Sequence, residues 1–422
     1  MRNVFLHLHP VKIAAPALRF KRTFGLGGMA ALLVILLILT GSLLRFYYQP
    51  TPAEAYDSVL FLKQNVLFGQ LIRNLHHWSG VFLLMISFFH LLRVFFTGAY
   101  REIRKVNWLI GLGLLILIVL SNFTGYLLPW DQLAYWAVTV GTTIIGYFPL
   151  AGPGLRQVIL GGQEVNAVTL QNFYTFHTAV LPFLILVLIL YHFWRVRKAG
   201  GILVSKDDPD KDTVPVMPYL VYRELIAALC LLAVLFMFSA IFNASLRERA
   251  NPAFSMNPTK APWYFAGIQE LLIHFHPFFA AFVIPVGAIT FLIWLPYMKY
   301  RLQPQGNWFV SANGKKSAFS AGVFAVIITM TGILFNEYIA NFEILFHGIP
   351  AWISNGIVPL LILLALMAAY YRIFHLPRKL SREELVQAVF VFLLAAFLVL
   401  TLTGIFFRGK DMALTFPWNI PS

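Results

Sequence analysis

Four histidines are set out as two matched pairs. His76 and His90 are fourteen residues apart, and His177 and His192 are fifteen apart. All four lie in or at the edge of long apolar runs, where histidine is costly and marks a functional site by default. On a helix rising ~1.5 Å per residue, each pair spans ~21–22 Å. Fourteen steps of ~100° turn the side chain by about −40° and fifteen by about +60°, so both members of a pair share a face. Pro182 lies inside the longer interval and removes the hydrogen bond to the Thr178 carbonyl, so a local distortion there can absorb the extra residue. Two such helices, antiparallel and face to face, set His76 opposite His177 and His90 opposite His192. Each couple can ligate one iron from both sides. Haem fits this arrangement, because bis-imidazole ligation leaves no open position and suits electron transfer rather than oxygen binding. Two haems stacked between the helices form an electron path across a bilayer.

The bland reading is that these are packing histidines, and two matched pairs argue against it. His77 points ~100° away from His76 and is read as a propionate or surface contact. His7, His9 and His375 are interfacial by position. His274, His276 and His347 fall near one surface and are read as solvated, with proton transfer as the other option. A second spacing accompanies the first: Gly27 and Gly41 are fourteen apart, as are Gly111 and Gly125. Glycine permits close backbone approach, here of a flat haem edge, although it also serves plain helix packing.

The elements that must carry these residues are membrane helices. The 422-residue chain is 59% hydrophobic and 12% charged, with a mean hydropathy of +0.75, whereas soluble domains are about 25% charged. Runs long enough to cross a ~30 Å hydrocarbon core occur nine times, at about 27–47, 76–97, 108–128, 176–196, 221–242, 277–298, 318–338, 354–374 and 385–407. They do not alternate as barrel strands would. The expected fold is therefore an all-α integral membrane bundle, with a four-helix haem-binding half and a five-helix carboxyl-terminal half. The net charge of +15 follows the membrane and not nucleic acid: with the amino terminus cytoplasmic, 22 of the 32 Lys and Arg residues fall on that side and nine on the other, as the positive-inside rule requires. The single cysteine, Cys230, excludes a disulfide framework, a cysteine-held iron–sulfur cluster and c-type haem attachment.

Residues 1–24 lack a continuous apolar core and read as an amphipathic surface helix. Residues 25–200 form the di-haem domain, a polar linker occupies 201–218, and 219–422 form the second domain. Long connections follow helices one, three and five. The 131–160 stretch, rich in Trp and Tyr, reads as short interfacial helices.

The segments TGSLLRFYYQPT (40–51), LIRNLHHWSG (71–80), HLLRVFFTGAY (90–100), NFTGYLLPWDQLAYWAV (122–138) and FYTFHTAVLP (173–182) resemble cytochrome b of the quinol–cytochrome c and plastoquinol–plastocyanin reductases. The likeness spans about 40–200 and is closest to the short cytochrome b6 form, which shares the fifteen-residue interval. It implies an outer haem b on His76 and His177 and an inner haem b on His90 and His192. It also implies propionate contacts from Arg73 and Arg93, where a guanidinium offsets carboxylate charge. Two departures stand out. His77 occupies a position where arginine is usual, and Gly25 replaces the cysteine that attaches an extra haem in the b6 form, so no covalent haem is expected.

The second half resembles the carboxyl-terminal part of the same family less closely, like subunit IV, with an added ninth helix expected to hold a further subunit. In NPAFSMNPTKAPWYF (251–265), Ala261, Pro262, Trp263 and Tyr264 stand where the quinol-oxidising site carries Pro-Glu-Trp-Tyr. The acidic residue is therefore missing, and Glu270 and Asp131 are candidate replacements. Tyr135, Trp136, Trp263 and Tyr264 could wall a quinone pocket or simply anchor the interface. Arg223, Glu224, Lys206 and Asp208 are candidates for a quinone site on the cytoplasmic side.

The resemblance implies a membrane subunit of a quinol oxidoreductase in the bacterial cytoplasmic membrane. Its expected partners are a Rieske iron–sulfur protein, c-type cytochrome subunits, or both, with room for a homodimer and none for nucleic acid. A second reading keeps the haems and exchanges electrons between quinone and a multihaem cytochrome without bifurcation. A third, a proton-coupled transporter with a histidine relay, needs no haem.

Overall fold

A computed structural model describes residues 11–204, 212–302, 304, 306–339, 342–375 and 379–419. Among them are nine helices long and apolar enough to cross a membrane, matching the nine expected runs to within a few residues at most ends. In chain order the helices used below are α1 (Leu26–Arg45), α2 (Ala55–Asn65), α3 (Gly69–Phe96), α4 (Lys105–Leu127), α5 (Gln132–Ile145), α6 (Gly152–Leu160), α7 (Ala167–Lys198), α8 (Val216–Ile241), α9 (Ala266–His274), α10 (Phe279–Tyr297), α11 (Ala312–Tyr338), α12 (Ile353–Ile373) and α13 (Arg382–Phe406). Of these, α2, α5, α6 and α9 are too short to span and lie in the connections. The two in the 131–160 stretch are where interfacial helices were expected.

Local chemistry sets several boundaries. Asp131 caps α5 by accepting from Ala134 N, and Asn166 with Thr169 forms a capping box at the start of α7. Ser381 with Glu384 does the same for α13, since a side-chain oxygen satisfies backbone donors that a first turn leaves unpaired. Three spanning helices contain a π turn followed two residues later by a proline: Phe176–Val180 before Pro182, Phe279–Val283 before Pro285, and Ile353–Ile357 before Pro359. Proline cannot donate to the carbonyl four residues back and its ring presses on that carbonyl. A widened turn relieves both problems.

The amino-terminal segment differs from expectation over its described part. Instead of an amphipathic helix, Lys12–Ala14 forms β1, which pairs antiparallel with β2 (Thr213–Pro215), and two short 3-10 turns follow at Ala15–Leu18 and Phe20–Arg22. Pro16 denies the segment a regular helix interior. The expected linker 201–218 therefore ends in an ordered strand and the first residues of α8. Residues 1–10 and 205–211, which include His7, His9, Lys206 and Asp208, lie outside the described residues.

The two halves share their packing. Helices α1 and α3 pack together, as do α4 and α7, and the core between them contains Leu33, Leu75, Leu83, Leu114 and Ile185 together with Leu231 and Leu235 of α8. Helix α8 thus belongs spatially to the haem-binding half. Helix α13, expected to be an addition for holding another subunit, packs one face against α11 and α9. Its Phe390 stacks on Phe95 of α3 at 3.9 Å between ring centroids, and Gln387 donates to the Phe96 carbonyl at 3.2 Å. Trp108 of α4 donates to Leu292 O of α10 at 2.7 Å, a further tie across the expected domain boundary.

Candidate functional site

The structure brings the four histidines together in the expected couples. The His76 and His177 rings are 6.1 Å apart between centroids and inclined by 77°; His90 and His192 are 6.4 Å apart and inclined by 73°. An imidazole nitrogen sits about 2 Å from a metal it ligates, so two rings facing one ion have centroids roughly 6 Å apart. Both couples have the spacing of an axial pair. No cluster of three or more His, Cys, Asp or Glu with metal-holding geometry occurs among the described residues. An ion held here would take its remaining ligands from a cofactor, as haem iron does.

The unequal intervals are reconciled by the π turn at Phe176–Val180, which starts one residue before His177. It accommodates one additional residue, so fifteen positions on α7 turn through about the same angle as fourteen on α3.

The ring nitrogens are oriented from behind. His177 Nδ1 lies 2.9 Å from the Ser121 carbonyl, which accepts only, so Nδ1 carries the hydrogen and Nε2 keeps its lone pair. His76 Nδ1 lies 3.0 Å from Thr40 Oγ1, whose own hydroxyl donates to Leu36 O at 2.7 Å. His192 Nδ1 is buried without a hydrogen-bond partner among the described residues.

Each of the four spaced glycines faces one histidine. A Cβ at Gly41 would meet His76 Cε1 at 3.0 Å, and one at Gly125 would meet His177 Cε1 at 2.5 Å. At Gly27 and Gly111 the corresponding atoms of His90 and His192 would lie at 3.6 Å. The glycines therefore make room for the rings themselves, which is a closer constraint than the haem edge expected from their spacing.

Arg73 is buried and spends two donors on the Ala244 and Ser245 carbonyls, both at 2.6 Å, beyond the end of α8. Arg93 is also buried and gives its Nε hydrogen to Arg22 O at 2.7 Å. His77 points away and packs edge-on against Trp78. Gly25 has φ +66°, where a cysteine would be strained, and a Cβ there would lie 3.2 Å from the Ala227 side chain. Arg223 of the expected cytoplasmic-side group is bonded to the Leu18 carbonyl.

The expected quinol-site residues divide into separate environments. Tyr264 packs against the core shared by α1, α3 and α4, with its hydroxyl buried and unpartnered. Burial, with Tyr126 nearby, pushes that phenol well above its usual range. Trp263 is 38% exposed beside it. Tyr135 belongs instead to the cluster formed by Leu127, Trp130, Leu160 and Phe173, with Trp136 packed against it.

Asp131 is structural as well as acidic. Its two oxygens accept from Ala134 N at 2.9 Å and Arg247 N at 3.1 Å. Burial raises its pKa from the ordinary value, although those N–H groups pull the other way.

Glu270 is fully buried in an ion pair with Arg408: Nη2 to Oε1 at 2.6 Å and Nε to Oε2 at 2.9 Å. His274 Nε2 lies 3.0 Å from Oε1, and Arg408 Nη1 reaches Glu337 Oε2 at 3.0 Å. Burial alone would raise the Glu270 carboxyl, but the His274 and Arg408 hydrogen bonds and charge outweigh it and hold it below the usual range. His274 was expected to be solvated, yet its side chain is 9% exposed and part of this cluster. Arg408, Glu337 and the histidine-orienting Thr40 and Ser121 were not singled out from sequence. A repeated Thr-Gly, at 40–41 and 124–125, was the available signal for Thr40.

Residues 12–200 match the family model described as cytochrome b/b6/petB. Cytochrome b6 of Heliomicrobium gestii is 41% identical over 192 residues, covering 46% of this chain and 88% of that relative. The chain belongs to the cytochrome b/b6 family. Cytochrome b6 of Synechococcus elongatus is also 41% identical, over 175 residues, 42% of this chain and 81% of the relative. These cytochrome b6 matches account for the amino-terminal half only. Across both halves, the solved structure described as hyperthermophilic respiratory Complex III shares the fold at a TM-score of 0.67, covering 95% of each chain at 24% identity. Membership in the cytochrome b/b6 family brings a b-type haem, and the nine apolar helices make the chain a multi-pass membrane protein.

Proposed function

We propose that this chain is the di-haem cytochrome b subunit of a quinol oxidoreductase. His76 and His177 hold an outer haem, and His90 and His192 hold an inner one. The observation that carries the reading is the pair of histidine couples, each with axial-pair spacing and separated along the bundle by about 21 Å. The reading takes the bundle end carrying His76 as the outer face of a bacterial cytoplasmic membrane. The excess of Lys and Arg in connections at the His90 end supports that orientation.

When bound, b haem supplies a one-electron carrier. The protein's part is to fix it and to shape its surroundings. The Ser121 carbonyl and Thr40 hydroxyl hold His177 and His76 as neutral rings with Nε2 turned toward the ligand position. Gly125 and Gly41 admit those rings. Arg73 and Arg93 place positive charge near where propionates would lie, while tying α3 to the loop after α8 and to Arg22.

Quinol is oxidised at the outer face beside Trp263 and Tyr264, where the unpartnered Tyr264 hydroxyl can hydrogen-bond a quinol oxygen. With haem held by His76 and His177 and by His90 and His192, the two groups would supply the route by which one electron reaches quinone at the inner end. The other goes to a high-potential partner, a Rieske protein, a c-type cytochrome subunit, or both. The residues at 25–200 act as the di-haem domain and those at 219–422 as its subunit IV-like complement. Pro262, where the acid is expected, favours one competing scheme, in which both electrons pass between quinone and a multihaem cytochrome without bifurcation.

The test is redox spectroscopy of the purified complex. Two b-type components are expected, and His90→Ala or His192→Ala removes one and spares the other. Retention of both in either variant overturns the ligand assignment. Haem reduction by quinol that is independent of the oxidation state of a Rieske-type acceptor rejects bifurcation.

A further inference from the structure

The ion cluster where α9, α11 and the end of α13 meet is not used by the haem-binding part of the protein. It contains two carboxylates, Glu270 and Glu337, against one guanidinium, Arg408, which is completely buried. With a neutral His274, one negative charge is left over in a site where an uncompensated charge is costly. Protonating His274 brings the four groups to neutrality.

The hydrogen bonds are suited to both states. His274 Nε2 faces Glu270 Oε1 at 3.0 Å and Nδ1 faces Asn336 Oδ1 at 2.9 Å, so with the amide oriented in this way both ring nitrogens meet acceptors, as an imidazolium requires. Arg408 Nη2 lies 3.3 Å from the same Nε2. When the ring is neutral its remaining hydrogen stays on Nε2, facing Glu270, and Nδ1 accepts from the Asn336 amide turned over. The proton can come and go with the other heavy atoms almost in place.

Among the described residues, the charged groups that act on Glu270 and Arg408 are each other, His274 and Glu337. Lys260 of the 251–265 loop is turned to the Ile405 carbonyl, and Asp411 of the tail is held by Asn257. His276 is tied through its backbone N–H to the Asn355 carbonyl of α12. Glu337, one residue from the end of α11, accepts from Leu414 N, and with its side chain 19% exposed it is the least buried of the four.

The position suits a role in quinol chemistry. Glu270 lies on α9, the helix that begins two residues after Tyr264. Gln269, beside it, anchors the loop by accepting from Ala261 N at 2.8 Å and donating to Thr259 O at 2.7 Å.

We propose that Glu270, His274, Arg408 and Glu337 form a proton-holding site at the His76 end of the bundle, which takes up the proton released when quinol is oxidised beside α9 and passes it to solvent through Glu337. This deepens the quinol-oxidising reading and rests on it. As a quinol O–H bond breaks, the proton is bound by the His274 cluster and the electron leaves to the b haem or the high-potential acceptor. Release to water at Glu337 returns His274 to its neutral form. The cluster takes over the task of the acid missing at Pro262.

The test uses the intact haem-loaded complex and a short-chain quinol. Hydrogen–deuterium exchange at the imidazole carbon, read by mass spectrometry, follows His274 protonation without quinol; stopped-flow absorbance follows b-haem reduction across pH. A titrating His274 is expected in the wild type. His274→Asn should keep the haem spectrum, slow haem reduction by about 100-fold, as loss of a proton acceptor does, and flatten its pH profile. Glu337→Gln, at the rim, should slow reduction in the same pH-dependent way and serves if His274→Asn does not assemble. Wild-type rates and pH profile in an assembled variant, or a His274 that does not titrate, overturn the proposal alone. A wild-type complex whose haem is not reduced by quinol overturns the quinol reading and this proposal with it.

Discussion

Gly125→Ala is a one-carbon change with a calculable effect. The new Cβ would lie 2.5 Å from His177 Cε1, 2.9 Å from Nδ1 and 3.1 Å from Nε2. Ordinary carbon contacts begin near 3.5 Å, so the ring must retreat by about 1 Å. A metal–ligand bond tolerates only about 0.2 Å. Moving His177 also pulls Nδ1 from the Ser121 carbonyl that fixes its tautomer. Overpacking of this kind costs about 1–3 kcal/mol, a factor of roughly 5–150 in an equilibrium, before the lost axial bond is counted.

The four glycines then form a graded series. Gly125→Ala should remove the outer haem. Gly41→Ala, at 3.0 Å, should weaken it and shift its potential, while Gly27→Ala and Gly111→Ala, at 3.6 Å, should leave both haems in place. Haem content per chain and a potentiometric titration of the b bands measure this directly. A Gly125→Ala protein with two unaltered b components would refute the premise that these glycines are cut to the histidine rings.

Arg408→Ala should destabilise the complex by about 3–5 kcal/mol, because Glu270 would be left charged and unpaired in the interior, seen as a lower midpoint of thermal unfolding in detergent. The ion pair also makes acid stability depend on Glu270. Its folded-state pKa lies below the unfolded value, so its contribution is complete above the unfolded value and fades as pH falls through the folded one, a loss that Glu270→Gln should remove. Asp131 has the opposite sign: its pKa is raised, so stability declines as pH climbs through its folded value. Asp131→Asn keeps a good helix cap and should flatten that decline, as unfolding midpoints across pH would show.

The membrane helices and the histidine pairing were legible because each rests on a local regularity: runs of about 20 apolar residues, and intervals of fourteen and fifteen that keep one face. Pro182 even located the distortion that reconciles them. What was hidden depends on partners distant in sequence. Nothing near Glu270 announces Arg408, 138 residues later, so Glu270 read as a free acid and His274 as solvated. Asp131 also read as a candidate base, since its capping of Ala134 is local but the Arg247 N–H on its other oxygen is not. The ninth run gave no sign of which helices its packed face meets, because an apolar face toward lipid and one toward protein have the same composition. The strand at Lys12–Ala14 needs a partner some 200 residues away, which periodicity within a single segment cannot supply.

The π turn at Phe176–Val180 bears on how such helices can change. A residue inserted into a regular helix rotates everything beyond it by ~100°, which would swing one ligand out of line and leave an intermediate useless in descent. A widened turn confines the insertion to a single loop of backbone. Both ligands keep their aim while the count between them changes. Helices that contain such turns, here α7, α10 and α12, can gain or lose single residues without passing through a broken site. Intervals between functional residues on them are better compared in turns of helix than in numbers of amino acids.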